Sequence, residues 1–212
     1  MLVSNKNIKA DRFIWIFVVA SASFWLASAW IASVSFADIW AMVRLLPNVV
    51  TVDVIAFAVF AKWLWKWRMF QGWLVPFPNL NGIWTGVIKP ADDDEQPREI
   101  PTVAVIKQSF LSLSCVMHTA EMTSHSYSAN FLIDEESQVR KLVYVYTSKP
   151  KVAVLARSPI HDGTTMLSIH GLPPRRLTGE YWNSRRRVGE ISLAFDRRRR
   201  RKDIPEDLLP QN

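Results

Sequence analysis

The sequence predicts a two-helix transmembrane hairpin followed by a small eight-stranded antiparallel β-barrel, a membrane α plus all-β architecture. Three observations predict it. Almost all uninterrupted apolar sequence lies before residue 71, strand-like segments separated by turn clusters recur after it, and basic residues flank the apolar pair on the same side. The chain has 212 residues, a net charge of +7, 49% hydrophobic residues and ten Trp. Roughly 130 residues are left for a globular part, enough for one core and too few for two. The single cysteine, Cys115, excludes an intramolecular disulfide framework and suits a reducing compartment.

Residues 1–70 are predicted to form the transmembrane region. Residues 14–36 carry no charge and exceed the roughly 20 residues that cross a bilayer core at 1.5 Å per residue. Trp15, Trp30 and Trp40 lie towards the ends, where indole favours the lipid interface. The small residues Ala20 to Ser23 and Ala27 to Ala29 permit close helix approach. A basic start (Lys6, Lys9, Arg12) and Ala27-Ser28-Ala29 also suit a cleaved signal, but the apolar run continues past that point and a second one follows, so an uncleaved anchor is expected. The second span is expected at 47–65, after the turn-forming Pro47-Asn48, and it carries Asp53. The brief connection predicts an antiparallel hairpin. Lys62, Lys66 and Arg68 after the second span match the basic residues before the first, so the positive-inside rule puts both termini and the large domain in the cytoplasm of a multi-pass inner-membrane protein. Asp53 has two readings: a polar seam that lines a pore or joins helices in an oligomer, or a tolerated residue one turn inside the helix.

A connector at 71–79, with Pro76 and Pro78 stopping the helix, leads into a predicted barrel at 80–196. Strands are expected at 80–89, 101–110, 111–119, 126–133, 139–147, 164–170, 176–183 and 187–195. Breakers separate them: Pro90 with the acidic run 92–95, then 134–137, 158–163 and Pro173-Pro174. Leu111, Leu113, Cys115 and Met117 fall on one face with Ser112, Ser114 and His118 on the other; Ile191, Leu193 and Phe195 alternate with Glu190 and Ser192. A closed up-and-down barrel removes exposed sheet edges, and its interior packs solid or holds one small ligand. A β-sandwich is the alternative.

Catalytic constellations are not evident. The chain has no P-loop, GxSxG, HExxH or paired Cys, and His118, His125, His161 and His170 lack metal-ligand spacing. A non-enzyme without cofactor or metal is expected, and the acidic run reads as a solvated turn. Binding features remain. Trp84 on an inward barrel face serves as a core plug or a ligand platform. Tyr181 and Asn183 share a face if Leu177 points inward, which suits stacking on and hydrogen bonding to a base. Arg185, Arg186 and Arg187 follow in the last turn, as a phosphate clamp or a solvated loop. The basic tail at 197–212, with its run 197–202, suits attraction to anionic lipid. No DNA- or RNA-reading motif accompanies it.

The layout resembles the two-transmembrane, β-strand-rich effectors of bacterial CBASS anti-phage systems (the CD-NTase-associated, SMODS-associating family), encoded beside cyclic-nucleotide synthases. The residues that carry the resemblance are Leu80-Asn81-Gly82-Ile83-Trp84-Thr85-Gly86, the spaced serines Ser124, Ser126 and Ser128, and His161-Asp162-Gly163-Thr164. Leu177-Thr178-Gly179-Glu180-Tyr181-Trp182-Asn183 and Arg187-Val188-Gly189-Glu190-Ile191 complete the set. The resemblance spans nearly the whole chain in order, and the basic tail falls outside it. It implies a barrel that binds a cyclic dinucleotide made after infection, a homo-oligomer formed on binding, and helices that then disrupt the inner membrane. It adds His161 and Thr164 to Trp84, Tyr181, Asn183, Arg185 and Arg187 as expected ligand contacts, with Asp53 as the membrane or oligomer residue. The competing functions are a membrane-tethered lipocalin-like barrel for an apolar ligand and a non-catalytic membrane scaffold.

Overall fold

The computed structural model describes residues 10–91, 98–134 and 139–197. The chain divides into a helical unit ending at Pro76 and a barrel unit beginning at Phe77. The acidic run 92–95, the basic residues Lys6 and Lys9, and the tail after Arg197 lie outside the described residues.

In the helical unit, α1 spans Ala10–Ile31 without a glycine or proline. Its serines do not disturb it: Ser23 and Ser28 donate to the carbonyls of Val19 and Phe24 at 2.7 and 2.8 Å, while the single Ser21 proton is shared between the Phe17 carbonyl and Asp53. Helix α2 (Ile39–Arg44) starts at Asp38, whose carboxylate accepts the Ala41 N–H at 3.0 Å. Helix α3 (Leu46–Lys62) follows after Leu45 alone. The second apolar segment therefore runs Ile39–Lys62, 24 residues, rather than starting at residue 47. Pro47 sits in the first turn of α3, where a missing N–H costs nothing, so it breaks the segment into two pieces without ending it. Both segments have the length and hydropathy to cross a membrane. Their most apolar windows are only 6% and 11% buried, with Trp15, Trp30, Ile31 and Trp40 exposed. Apolar surface this continuous matches lipid.

Side-chain contacts join the two segments of this hairpin. The Ser21 hydroxyl lies 2.8 Å from an Asp53 carboxylate oxygen, Trp25 donates its indole N–H to the Met42 carbonyl at 3.0 Å, and Phe13 packs edge-on to Phe57. Asp53 is half-buried and its carboxylate faces α1.

The barrel is an eight-stranded antiparallel meander: β1 Gly82–Pro90, β2 Ile100–Gln108, β3 Leu113–Thr119, β4 Met122–Asp134, β5 Val139–Pro150, β6 His161–His170, β7 Arg176–Asn183 and β8 Val188–Arg197. Strand β8 pairs with β1, placing Trp84 opposite Phe195 and Ile88 opposite Ile191, and this closes the barrel. Closure rules out the sandwich. Two strands start earlier than expected from sequence: β4 at Met122 instead of 126, and β6 at His161 instead of 164. In β4 the cause is a bulge. Ser126 pairs with Tyr146 and Ser128 with Val145, so Tyr127 is an extra residue that reverses the alternation midway.

Register fixes which side chains face the lumen. Leu142, Leu167, Leu177 and Leu193 do so, at 0–1% exposure, beside Trp84, Ile106 and Ile191. The expected alternation holds in β8 and in Leu113, Cys115 and Met117, but Leu111 is exposed in the turn before β3 and does not share their face. Val103 and Val105 point outwards and are still 3% exposed, so β2 is buried on both faces from Val103 to Ile106 and shows no alternation.

Residues 77–81 close one end of the barrel, its floor. Phe77 stacks on Phe131 with ring centres 5.5 Å apart and also packs on Phe110. Gln108, 7% exposed, accepts the Leu80 N–H at 2.7 Å and donates to the Pro78 carbonyl at 3.0 Å. Asn81 accepts the Gln108 backbone N–H at 2.8 Å and donates to its carbonyl. In mid-lumen, burial pushes the Cys115 thiol up to about 12, and Tyr144 beside it is also raised well above the usual phenol value by burial.

Two outcomes are expected. Replacing Gln108 with Ala orphans the buried Leu80 N–H and Pro78 carbonyl and lowers stability by about 2–4 kcal/mol in denaturant titration of the detergent-solubilised protein. Cys115, with so small a thiolate fraction, reacts with a thiol reagent about a thousandfold more slowly than free cysteine until the barrel unfolds; a rate near that of free cysteine would show the lumen to be open at this level.

Candidate functional site

The lumen changes character along its length. The floor half is lined by Phe77, Leu80, Trp84, Phe131, Leu142 and Leu193. Towards the opposite end, the mouth, lumen-facing register positions carry Ser124, Ser148, His161, Tyr146, Tyr181 and Asn183. The alternation of β5 carries two of them there: Leu142, Tyr144, Tyr146 and Ser148 share the inner face, running from apolar to polar.

Two glycines set the tyrosine rings against the wall. A Cβ on Gly163 would lie 2.5 Å from the Tyr146 hydroxyl oxygen, and one on Gly189 would lie 2.7 Å from Cε1 of Tyr181. Only glycine permits either approach. Burial, and then the neighbouring Tyr181, push the Tyr146 hydroxyl up to about 12, so it stays a neutral donor throughout the physiological range. Ser124 donates to Ser148 at 3.0 Å. His161 places Nδ1 2.9 Å from the Pro159 carbonyl; that oxygen only accepts, so Nδ1 carries the proton and Nε2 is left as an acceptor. Among the described residues no acidic side chain occupies a lumen-facing register position, so nothing there repels an anionic ligand.

Three consecutive arginines stand in one turn at the mouth. The turn between β7 and β8 is built on Asn183, whose side-chain oxygen accepts the backbone N–H groups of Arg185 at 3.0 Å and Arg187 at 3.1 Å. Arg186 closes this turn at φ 59°. Arg185 is half-buried and donates to Ser158, itself 6% exposed, at 2.7 Å, which ties this turn to the β5–β6 connection. An ion pair of Arg157 with Glu121 ties that connection in turn to the β3–β4 turn.

The structure thus gathers Tyr181, Asn183, His161 and Arg185 at one end, with Arg187 exposed in the same turn. It separates the other two expected contacts from them. Trp84 is fully buried against the floor, its indole N–H donating to Leu80 at 3.0 Å and its ring edge-on to Phe195, so it plugs the core. Thr164 pairs with Val145 and Trp182 on the outer face, because the two-residue period sends 161, 163 and 165 inwards. Asn183 spends its oxygen on the turn and keeps only its amide N–H groups for a ligand. Asp53 belongs to the helical unit. Sequence reading did not place Tyr146 and Ser148 at this end; the β5 alternation was the available signal.

An open depression of 580 Å³ also lies on the floor side, lined by Asn81, Lys107, Gln108, Ser109, Ser112, Ser126 and Tyr127 among others. Asn81 and Gln108 hold the floor there, Ser109 and Ser112 bond each other, and Ser126 accepts the Cys115 N–H at 2.8 Å. Its polar groups are largely engaged, so the mouth is the better candidate. No group of three or more His, Cys, Asp or Glu able to hold a metal occurs among the described residues.

Comparison with known proteins agrees with a ligand-binding barrel. The family model described as Cap15, cyclic dinucleotide receptor domain, matches residues 75–194, more than half of the chain and every strand. The chain is also 24% identical over 151 residues to CD-NTase-associated protein 15 of Staphylococcus schleiferi, across 71% of this chain and 79% of that protein. With two long apolar helices ahead of a closed barrel whose mouth is polar and basic, the chain belongs to the Cap15 cyclic dinucleotide receptor family.

Proposed function

We propose that the protein is a CBASS effector whose barrel takes a cyclic dinucleotide at its mouth and whose membrane helices deliver the response. The observation that carries this reading is the polar half-lumen under a basic rim, in a chain of the Cap15 receptor family. The phosphodiester groups meet Arg185, Arg186 and Arg187, whose guanidinium forks match phosphate oxygens. A base enters between Tyr146 and Tyr181, and Nε2 of His161 and the hydroxyls of Ser124 and Ser148 answer its donors and acceptors. An apolar ligand would leave these groups unpaired, which disfavours the lipocalin-like alternative.

Binding shifts assembly only if the ligand prefers the assembled state. A dianion at the rim neutralises repulsion between the arginine turns of neighbouring barrels and so favours a homo-oligomer. The family resemblance supports inner-membrane disruption as the output, and the basic flanks of the helices support a cytoplasmic barrel with both termini inside. The partner in the cell is then the nucleotide synthase that makes the ligand. The receptor-domain family supports a receptor role for the barrel.

Within the hairpin, the Ser21–Asp53 hydrogen bond keeps α1 and α3 together as the unit that assembles. Calorimetry of the full chain in detergent against a panel of cyclic dinucleotides should find a tight ligand, with Tyr181→Ala and His161→Ala weakening it roughly tenfold each. Binding of none, or variants that bind as the wild type does, would remove the mouth as the site. In a vesicle-leakage assay, Asp53→Ala and Ser21→Ala should reduce ligand-triggered leakage alike, by about fivefold for a bond near 1 kcal/mol; leakage equal to wild type would make Asp53 a tolerated residue only.

A further inference from the structure

The floor rim of the barrel carries a second cationic feature, remote from the mouth. An open groove of 470 Å³ is lined by His170, Gly171, Arg175, Arg176 and Thr178, at the turn between β6 and β7. His170 bonds Thr178 through Nε2 at 2.7 Å, which fixes one wall. Arg175 and Arg176 are both exposed, and neither forms an ion pair among the described residues. Arg140 and Lys141 lie at the adjoining end of β5. Asp134 and Asp196 are the acids among the described residues of this rim, where Lys107 and Arg197 add to the basic positions. In sequence, Arg198 to Lys202 follow β8, and Glu135 and Glu136 stand between β4 and β5; both stretches lie outside the described residues.

An apolar residue completes the feature. Leu172, at the tip of the turn, is 74% exposed and is followed by Pro173 and Pro174, with the arginine pair next. This floor is also where the chain arrives from the membrane helices. Lys62 ends α3 and Phe77 is already packed in the floor, so the fifteen steps between them span at most about 50 Å even fully extended. The barrel is therefore tethered to the helical unit by at most that length of chain.

We propose that the β6–β7 turn is a docking surface for the anionic leaflet, with Arg175 and Arg176 binding lipid phosphate and Leu172 entering the acyl boundary. Each arginine near an anionic surface adds about 1 kcal/mol, and a single leucine adds apolar burial. Neither alone holds a domain, whereas the tether raises the effective concentration enough for both to act together. The surface goes beyond the proposed nucleotide site and does not depend on it.

The test uses the full chain reconstituted in vesicles of phosphatidylcholine with or without phosphatidylglycerol. Cys115 is buried and unreactive, so Leu172→Cys supplies one thiol for an environment-sensitive dye. The expected result is quenching of the dye by brominated lipid in vesicles containing phosphatidylglycerol. Adding R175Q and R176Q should lower the ratio of docked to undocked protein about 30-fold at low salt. Quenching of equal strength in pure phosphatidylcholine, or unchanged by the double substitution while thermal melting shows the barrel intact, would overturn the proposal. Nucleotide affinity measured on the same samples reports the mouth separately.

Discussion

Closure of the sheet by the β1–β8 ladder is the constraint on which the rest of this barrel depends. Pairing of Trp84 with Phe195 and Ile88 with Ile191 brings the two ends of the meander together, and every inner position then faces a shared lumen. Once closed, the sheet has no free edge to cap, and its stability rests on filling the interior. The leucines of β5 to β8 do this in the floor half, and Trp84 seals it against the arriving chain. Gln108 and Asn81 then satisfy the backbone groups that the connector would otherwise bury unpaired.

A filled floor leaves the mouth as the part of the lumen where polar groups gather. The tyrosines Tyr146 and Tyr181 lie flat because Gly163 and Gly189 give them room, and burial keeps the Tyr146 phenol neutral. The backbone of the arginine turn is fixed by Asn183 and the Arg185 guanidinium by Ser158, so that one charge is preorganised. Preorganisation matters for a dianionic ligand, since ordering cost is then met in folding and not in binding. The two ends of the barrel therefore differ in chemistry: one is packed with apolar side chains, the other carries polar and basic ones.

Most of the fold was legible before the structure. Hydropathy and length mark the helices, and eight short strands with turn signals mark the barrel, since period two shows wherever one face is buried and the other wet. Legibility failed where that condition failed. Strand β2 is buried on both sides from Val103 to Ile106, and the bulge at Tyr127 reverses the faces of β4. Pro47 reads as a boundary by composition, yet within the first turn of a helix it has no hydrogen bond to break. For the site, Tyr181, Asn183 and Arg185 followed from one strand and its turn. Trp84 did not, because an inward aromatic looks the same from sequence whether it plugs the floor or faces the mouth.

By itself the sequence determined the two long apolar helices, the barrel class and the family, all of which rest on local periodicity, composition and motif order. Tertiary structure alone decided which inner residues meet. Tyr146, Ser148 and His161 come from different strands than Tyr181 and Asn183, and they converge only through the register of the β5–β6 and β6–β7 ladders. A shift of one residue in either ladder would exchange every face, which is why Thr164 lies outside the lumen and Gly163 within it.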